Sequence, residues 1–149
     1  MTPKELQAHL LHRLPSVPGI TTAEPWPERP YGLAITLASS GGCAYWMVTG
    51  ASGVVPASGK TQHLDAAQLP DLPPGKTSLG LIEQALLALA ATADGAVKID
   101  AYSSQPTPPA VGFGGNIDFA DGWRLFLSCA GTATAPGSRI RPVSSAAEV

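Results

Sequence analysis

Residues 78–93, SLGLIEQALLALAATA, carry Leu79, Leu81, Ile82, Leu86, Leu87 and Leu89 on more than one side of a helix, with Ala85, Ala88, Ala90 and Ala91 between them. Glu83 and Gln84 are the polar side chains of its first turns. A helix apolar nearly all round is buried on several sides. Ser78 is placed to cap its start, and Asp94-Gly95 supplies the turn and glycine expected past its end. A bilayer span takes ~20 strongly apolar residues, which this alanine-rich stretch does not provide. The chain must therefore close a sheet, or neighbouring subunits, around a core helix.

A chain of 149 residues is long enough for one domain with a real core. Its 9 basic and 11 acidic residues leave a formal charge of −2, and no run of Lys or Arg stands out. That excludes the clustered cations of a nucleic-acid surface. Only 13% of residues are charged, below the roughly 25–35% that keeps a free surface soluble and patch-free. Part of the surface is then expected to be hidden in an assembly, although the same wealth of Ala, Gly and Pro also fits a GC-rich genome. Cys43 and Cys129 each sit in an apolar strand-like run where a free thiol acts as a small buried hydrophobe; a disulfide is open only if their strands are neighbours, and a pair without a secretion signal makes it the lesser reading. The opening MTPKELQAHL is an amphipathic helix start, not a charged n-region before an apolar one, and points to a cytosolic setting.

Thr2-Pro3-Lys4-Glu5 forms a capping box, and Leu6, Leu10, Leu11 and Leu14 make a narrow stripe that ends at Pro15. An extended piece over 20–23 leads into residues 24–30, whose prolines exclude a helix and a central strand and suggest a stiff connection. Residues 31–38 alternate cleanly, 39–42 give the turn, and 43–49 return with both faces apolar: Tyr45 and Met47 on one, Trp46 and Val48 on the other. Residues 50–76 read as a long Gly/Pro-rich loop, with a helical turn around 65–69, that orders against something else. Val97, Ile99 and Ala101 mark a half-buried strand. Residues 111–120 mark another, with a bulge expected at Gly114-Gly115, and Asp121-Gly122 turns it into a partner over 123–130. The expected fold is α+β: an antiparallel sheet of five or six strands on a central apolar helix, with an N-terminal amphipathic helix. One domain covers residues 1–130, and a flexible tail with the basic pair Arg139 and Arg141 covers 131–149.

Motifs for chemistry are incomplete. Gly75-Lys76-Thr77 opens the central helix as a phosphate loop would, but Pro70 stands where the first glycine belongs; Gly59-Lys60-Thr61 fails with Val54. Val97-Lys98-Ile99-Asp100 afterwards could pass for a metal-holding strand end. His9 and His12, with Glu5, could offer metal ligands on one helix face, yet His63 is the only other histidine and a solvated face explains them equally. Neither cysteine has a neighbouring His or cationic cluster to activate it. Gly112-Phe113-Gly114-Gly115 lacks the last glycine of a dinucleotide fingerprint, Ile117 taking its place. No cofactor and no metal are expected. Trp46, Tyr102 and Phe126 fall opposite the core positions of their strands and either form a contact patch or lie under the first helix.

The opening helix ending in Leu14-Pro15-Ser16-Val17-Pro18-Gly19, the Pro-rich link, the Pro30-Tyr31-Gly32-Leu33-Ala34-Ile35-Thr36 strand, the mid-chain helix and the closing hairpin together resemble the tail-terminator and head–tail completion proteins of long-tailed phages and prophages. The resemblance covers the order of elements over most of the chain; the 50–76 segment and the basic-ended tail depart from it. It implies a structural, non-enzymatic protein without catalytic residues, whose copies form a ring, usually of six, that caps the tail tube and then joins it to the head. The implied partners are copies of itself and other tail or capsid proteins, with no nucleic acid read by sequence and no membrane; the setting is cytoplasmic during assembly and then the virion. Two other classes stay open: a small intracellular protein-binding module of chaperone or immunity type, gripping through Trp46, Tyr102 and Phe126, and a small enzyme whose site carries no recognised motif.

Overall fold

The computed structural model describes residues 1–54, 68–104, 112–143 and 148–149. Helix α1, Pro3–Arg13, starts where the capping residues place it: the Thr2 hydroxyl accepts from the Glu5 N–H at 3.3 Å, and Pro3 takes the first position, where its missing N–H costs nothing. It buries Leu6 and Leu10, and a 3-10 turn over Leu14–Ser16 adds Leu14 to the same stripe. Helix α2, Leu79–Ala91, begins at Ser78, whose side chain accepts from the Leu81 N–H at 3.3 Å, and the chain reverses beyond it through Gly95 at φ +83°. Each Leu or Ile that it buries fully is worth roughly 1.5–3 kcal/mol, so packing holds this helix more than propensity does.

The strands are β1 (Ile20–Trp26), β2 (Gly32–Leu37), β3 (Cys43–Ala51), β4 (Ala96–Ala101), β5 (Gly114–Phe119) and β6 (Arg124–Ala133). They form one six-stranded sheet in the order β1-β2-β3-β6-β5-β4, and every pairing is antiparallel. Helix α2 carries the chain from β3, in the middle, to β4 at the far edge, and β5 and β6 step back until β6 meets β3. The expected α+β architecture is thus present with six strands.

One face of this sheet is layered by the helices. Leu6, Leu10 and Leu14 meet Leu79, Ile82 and Leu86 over Leu33, Ile35, Trp46, Val48, Ile117, Leu125 and Leu127 in a single buried cluster. The opposite face carries a smaller cluster, Trp26, Cys43, Tyr45 and Ala133, with Ala34, Ala130 and Ile140 against it and no helix residue among them.

Four local expectations need correction. Extended backbone does not stop at Ala23: Glu24, Pro25 and Trp26 pair with Ala34, Leu33 and Gly32. Strand β1 is the sheet edge, where a proline is tolerated, so the prolines excluded a central strand without excluding this one. The β5–β6 register runs unbroken from Gly114 to Asp118. Register irregularities lie in other strands: in β6, where Ala130 is the extra residue between the Trp46–Cys129 and Tyr45–Gly131 pairs, in β1 at Thr21 and in β4 at Val97. Gly114 is a glycine for another reason: at φ +139° a Cβ there would collide with the Leu127 carbonyl oxygen.

Described regular structure also continues past residue 130. Strand β6 continues to Ala133, Thr132 and Arg141 exchange backbone hydrogen bonds of 3.0 and 2.7 Å, and Thr77 and Val149 exchange another pair of 2.7 and 2.8 Å. Gly131 permits the return, since a Cβ there would stand 2.6 Å from the Arg141 carbonyl oxygen. Of the long 50–76 segment, residues 50 and 51 belong to β3 and Leu72 packs against the main core, while most of the helical turn expected around 65–69 lies outside the described residues.

Candidate interaction face

Strand alternation sets what the helix-free face presents. The β3–β6–β5–β4 register aligns Thr49, Phe126, Asn116 and Asp100 in one row, and Met47, Ser128 and Gly114 in the next. Met47, Phe126 and Asn116 are half-buried. The Tyr102 hydroxyl donates to Asn116 Oδ1 at 2.8 Å and so closes over the end of these rows. Burial pushes the Tyr102 phenol up, against the lowering effect of a hydrogen bond with Ser128. One row further out, Arg124 binds Asp118 through two parallel hydrogen bonds of 2.6 and 3.0 Å, and the Asp118 carboxylate beside the guanidinium raises its already high pKa. Lys98 and Asp100 pair at 3.4 Å on the exposed edge strand β4.

At the other end of this face Trp26 and Tyr45 pack with ring centroids 4.9 Å apart and planes tilted by 49°, and the Arg29 guanidinium lies 5.8 Å from the Trp26 ring centre. Burial raises the pKa of the Tyr45 hydroxyl, with a hydrogen bond to Cys43 adding to the effect. The face therefore has an aromatic end, a half-buried middle around Met47 and Phe126, and a charged end at Arg124–Asp118.

Of the three aromatics singled out from the sequence, Tyr102 and Phe126 do meet this face, one on either side of Asn116. Trp46 does not. It is fully buried on the helix-covered side between Ala44 and Val48, so it belongs to the core and is removed from any contact patch. In β3 both alternations are apolar, and periodicity alone could not tell which one faced the helices. Sequence reasoning missed Trp26 and Tyr45. The usable signal was Trp26 itself, a large aromatic between two prolines, which a mere connection has no reason to bury.

The residues weighed for chemistry lie apart. His9 Nε2 is 3.0 Å from the Leu89 carbonyl oxygen and 3.0 Å from Thr92 Oγ1, so the ring ties α1 to the end of α2; burial lowers its pKa. His12 is exposed, and His63 lies outside the described residues, as do Gly59, Lys60 and Thr61. Among the described residues no group of three His, Cys, Asp or Glu could hold a metal. Cys43 and Cys129 are free thiols on opposite faces of the sheet. Burial pushes the Cys129 thiol up to about 12 and raises Cys43 as well, the reverse of what activates a nucleophile. The Thr77 N–H, which a phosphate loop would turn toward its ligand, donates to Val149.

A buried carboxylate that the sequence marked only as a helix side chain proves to be a junction. Glu83 is 2% exposed; one of its oxygens accepts from the Ser103 hydroxyl and the other from the Gly114 N–H at 2.8 Å. It binds α2 to the turn after β4 and to the start of β5. A hollow of about 390 Å³ beside it is lined by Gln84, Ile99, Ala101 and Ser104. A larger one of about 620 Å³ lies over Thr134, Ser138, Arg139, Ile140, Arg141 and Pro142. Neither includes His9, His12 or Asp100. Among the described residues no helix is long and apolar enough to cross a membrane.

Comparison of the chain with known protein families, with curated proteins and with solved structures finds no match to any of them.

Proposed function

We propose that this chain is a non-enzymatic assembly subunit of the tail-terminator kind, whose copies pack side by side into a ring of about six that meets other tail or capsid proteins, first in the cytoplasm and then in the virion. The observation that carries the reading is the helix-free face. Half-buried Met47 and Phe126 lie there between the Trp26–Tyr45 pair and the Arg124–Asp118 pair, an apolar strip with a polar rim of the composition that interfaces use. The low charged fraction and the order helix, three strands, helix, three strands support it further. Sedimentation velocity with negative-stain imaging tests it: a single species of about six copies with a central hole is expected, and a monomer at all concentrations would overturn it.

A second reading, a monomeric module that grips one partner chain, is favoured by the hydrogen-bonded Tyr102–Asn116 corner, which presets one edge of the strip. The same measurement separates the two, because a module stays a monomer or dimer.

A further inference from the structure

One stripe of α2 departs from its apolar surroundings. Gly80, Glu83, Gln84 and Leu87 have the spacing of a single helix face, and all four line the hollow of about 390 Å³ between α2 and the edge strand β4. Leu87, Ile99 and Ala101 give it an apolar wall, and Ser103 and Ser104 add hydroxyls. Its size falls in the ~300–1,000 Å³ range of small-molecule sites. Two features of the stripe are not accounted for by the packing of the fold. The first is Glu83, which is 2% exposed and forms no ion pair with any Lys, Arg or His among the described residues. The Ser103 hydroxyl and the Gly114 N–H each occupy one of its oxygens, which leaves lone pairs unused and the charge without a counter-charge. Buried charges are ordinarily paired. The second is Gly80: glycine weakens a helix, yet among the described residues a Cβ there would meet nothing closer than Ser78 Oγ at 3.8 Å and Phe113 Cε1 at 3.9 Å. A longer side chain at residue 80 would take up the hollow that its absence keeps open.

We propose that this hollow binds a primary alkylammonium ion, its charge against Glu83 and its alkyl chain along Leu87, Ile99 and Ala101. An ammonium carries three donors and no acceptor, which matches the Glu83 carboxylate, the Ser103 and Ser104 hydroxyl oxygens and the Gln84 amide oxygen around the hollow. The carboxylate disfavours an anion there, and among the described residues no group of three His, Cys, Asp or Glu offers a metal its ligands. Leu87, Ile99 and Ala101 belong to the helix-covered cluster, apart from the Met47–Phe126 strip, so the site stands or falls independently of the ring reading. A free alkylamine and the lysine side chain of a partner protein offer the same group, and the test tells these sources apart.

The test is a titration of the isotope-labelled full chain with pentylammonium chloride, followed through its amide resonances. Saturable shifts centred on Gln84, Ala101, Ser104 and Gly114 are expected, with pentanol, the uncharged analogue, bound ~tenfold or more weakly. Glu83→Gln keeps an oxygen for the Gly114 N–H and is expected to lose the preference for the cation. Gly80→Leu, which helix propensity favours, is expected to fill the hollow and abolish binding of both probes, and it decides alone should E83Q fail to fold. Equal binding of pentanol and pentylammonium, shifts centred elsewhere, no saturable shift, or unchanged binding by G80L overturns the proposal. N-acetyl-lysine methylamide then assigns the source: binding at least as tight as that of pentylammonium points to a partner's lysine, and weaker binding points to a free amine.

Discussion

The two faces of the sheet are built by different rules. On the helix-covered side, Leu33, Ile35, Trp46, Val48, Ile117, Leu125 and Leu127 are fully buried and nearly all aliphatic. Among the described residues, the two buried side-chain polar atoms without a partner, Trp46 Nε1 and Thr132 Oγ1, sit on strands β3 and β6 at the sheet centre. On the helix-free side several polar groups are paired: Tyr102 with Asn116, Arg124 with Asp118, Thr36 with Cys43 at a longer 4.0 Å. Burial of apolar area dominates the first face and tolerates an orphaned indole N–H. The second pairs those polar groups with protein partners, and leaves its apolar middle only half covered. Buried apolar area is thus concentrated on one side, and half-buried apolar side chains on the other.

The sharpest test of that division is a pair of truncations. Trp46→Ala removes a fully buried ring and should cost about 3–5 kcal/mol in urea unfolding. Phe126→Ala, on the half-buried strip, should cost about 1 kcal/mol or less in the isolated chain yet shift the sedimentation profile toward monomer. Equal destabilisation by the two, or an unchanged profile for the second, would erase the distinction.

Glu83→Leu comes next in size. It keeps the volume but strips the Gly114 N–H and the Ser103 hydroxyl of their acceptor. A loss of about 1–3 kcal/mol follows from leaving a buried donor unpaired. Hydrogen exchange at the Gly114 amide should accelerate more than at the Leu127 amide, and a uniform change across the sheet would assign the effect to general loosening instead.

The smallest effect is one of pH. Burial depresses the His9 pKa in the folded protein below that of a free imidazole, so acid protonates the unfolded chain more readily. Its contribution to stability is present above pH ~6.5 and is lost as pH falls through the folded value. Arg13, His12 and Asp94 are the charged or titratable groups that act on it, the first two lowering and the last raising its pKa. Thermal unfolding between pH 7.5 and 5 should show a slope that His9→Gln reduces; an identical slope in both proteins would place the titration elsewhere.

Much of the architecture was legible because local chemistry and tertiary structure agree there. Thr2, Ser78 and Gly95 mark helix ends that they do cap or terminate, and Asp121-Gly122 turns β5 into β6, with Gly122 at φ +97°. Legibility failed where a residue's meaning depends on a distant strand. Pro25 is harmless only because β1 is an edge, Ala130 is an extra residue only relative to β3, and Gly131 matters for the backbone of Arg141. The same holds for the face: Trp46 and Tyr45 could be told apart only once the side taken by α1 and α2 was known. The pairing of residues 132 and 141, and of 77 and 149, lay hidden under a Gly/Ser/Pro composition that ordinarily marks loops.

The strand order has a kinetic corollary. Each half of the sheet is a meander whose neighbours are also neighbours in sequence, with short connections between β1 and β2, β2 and β3, and β5 and β6. The two halves join along a single line, β3 against β6, which brings together residues as far apart as Cys43 and Ala133. Closing that line carries the largest loop-closure cost among the strand pairings, so substitutions along it are expected to retard refolding while those in the outer hairpins mainly hasten unfolding.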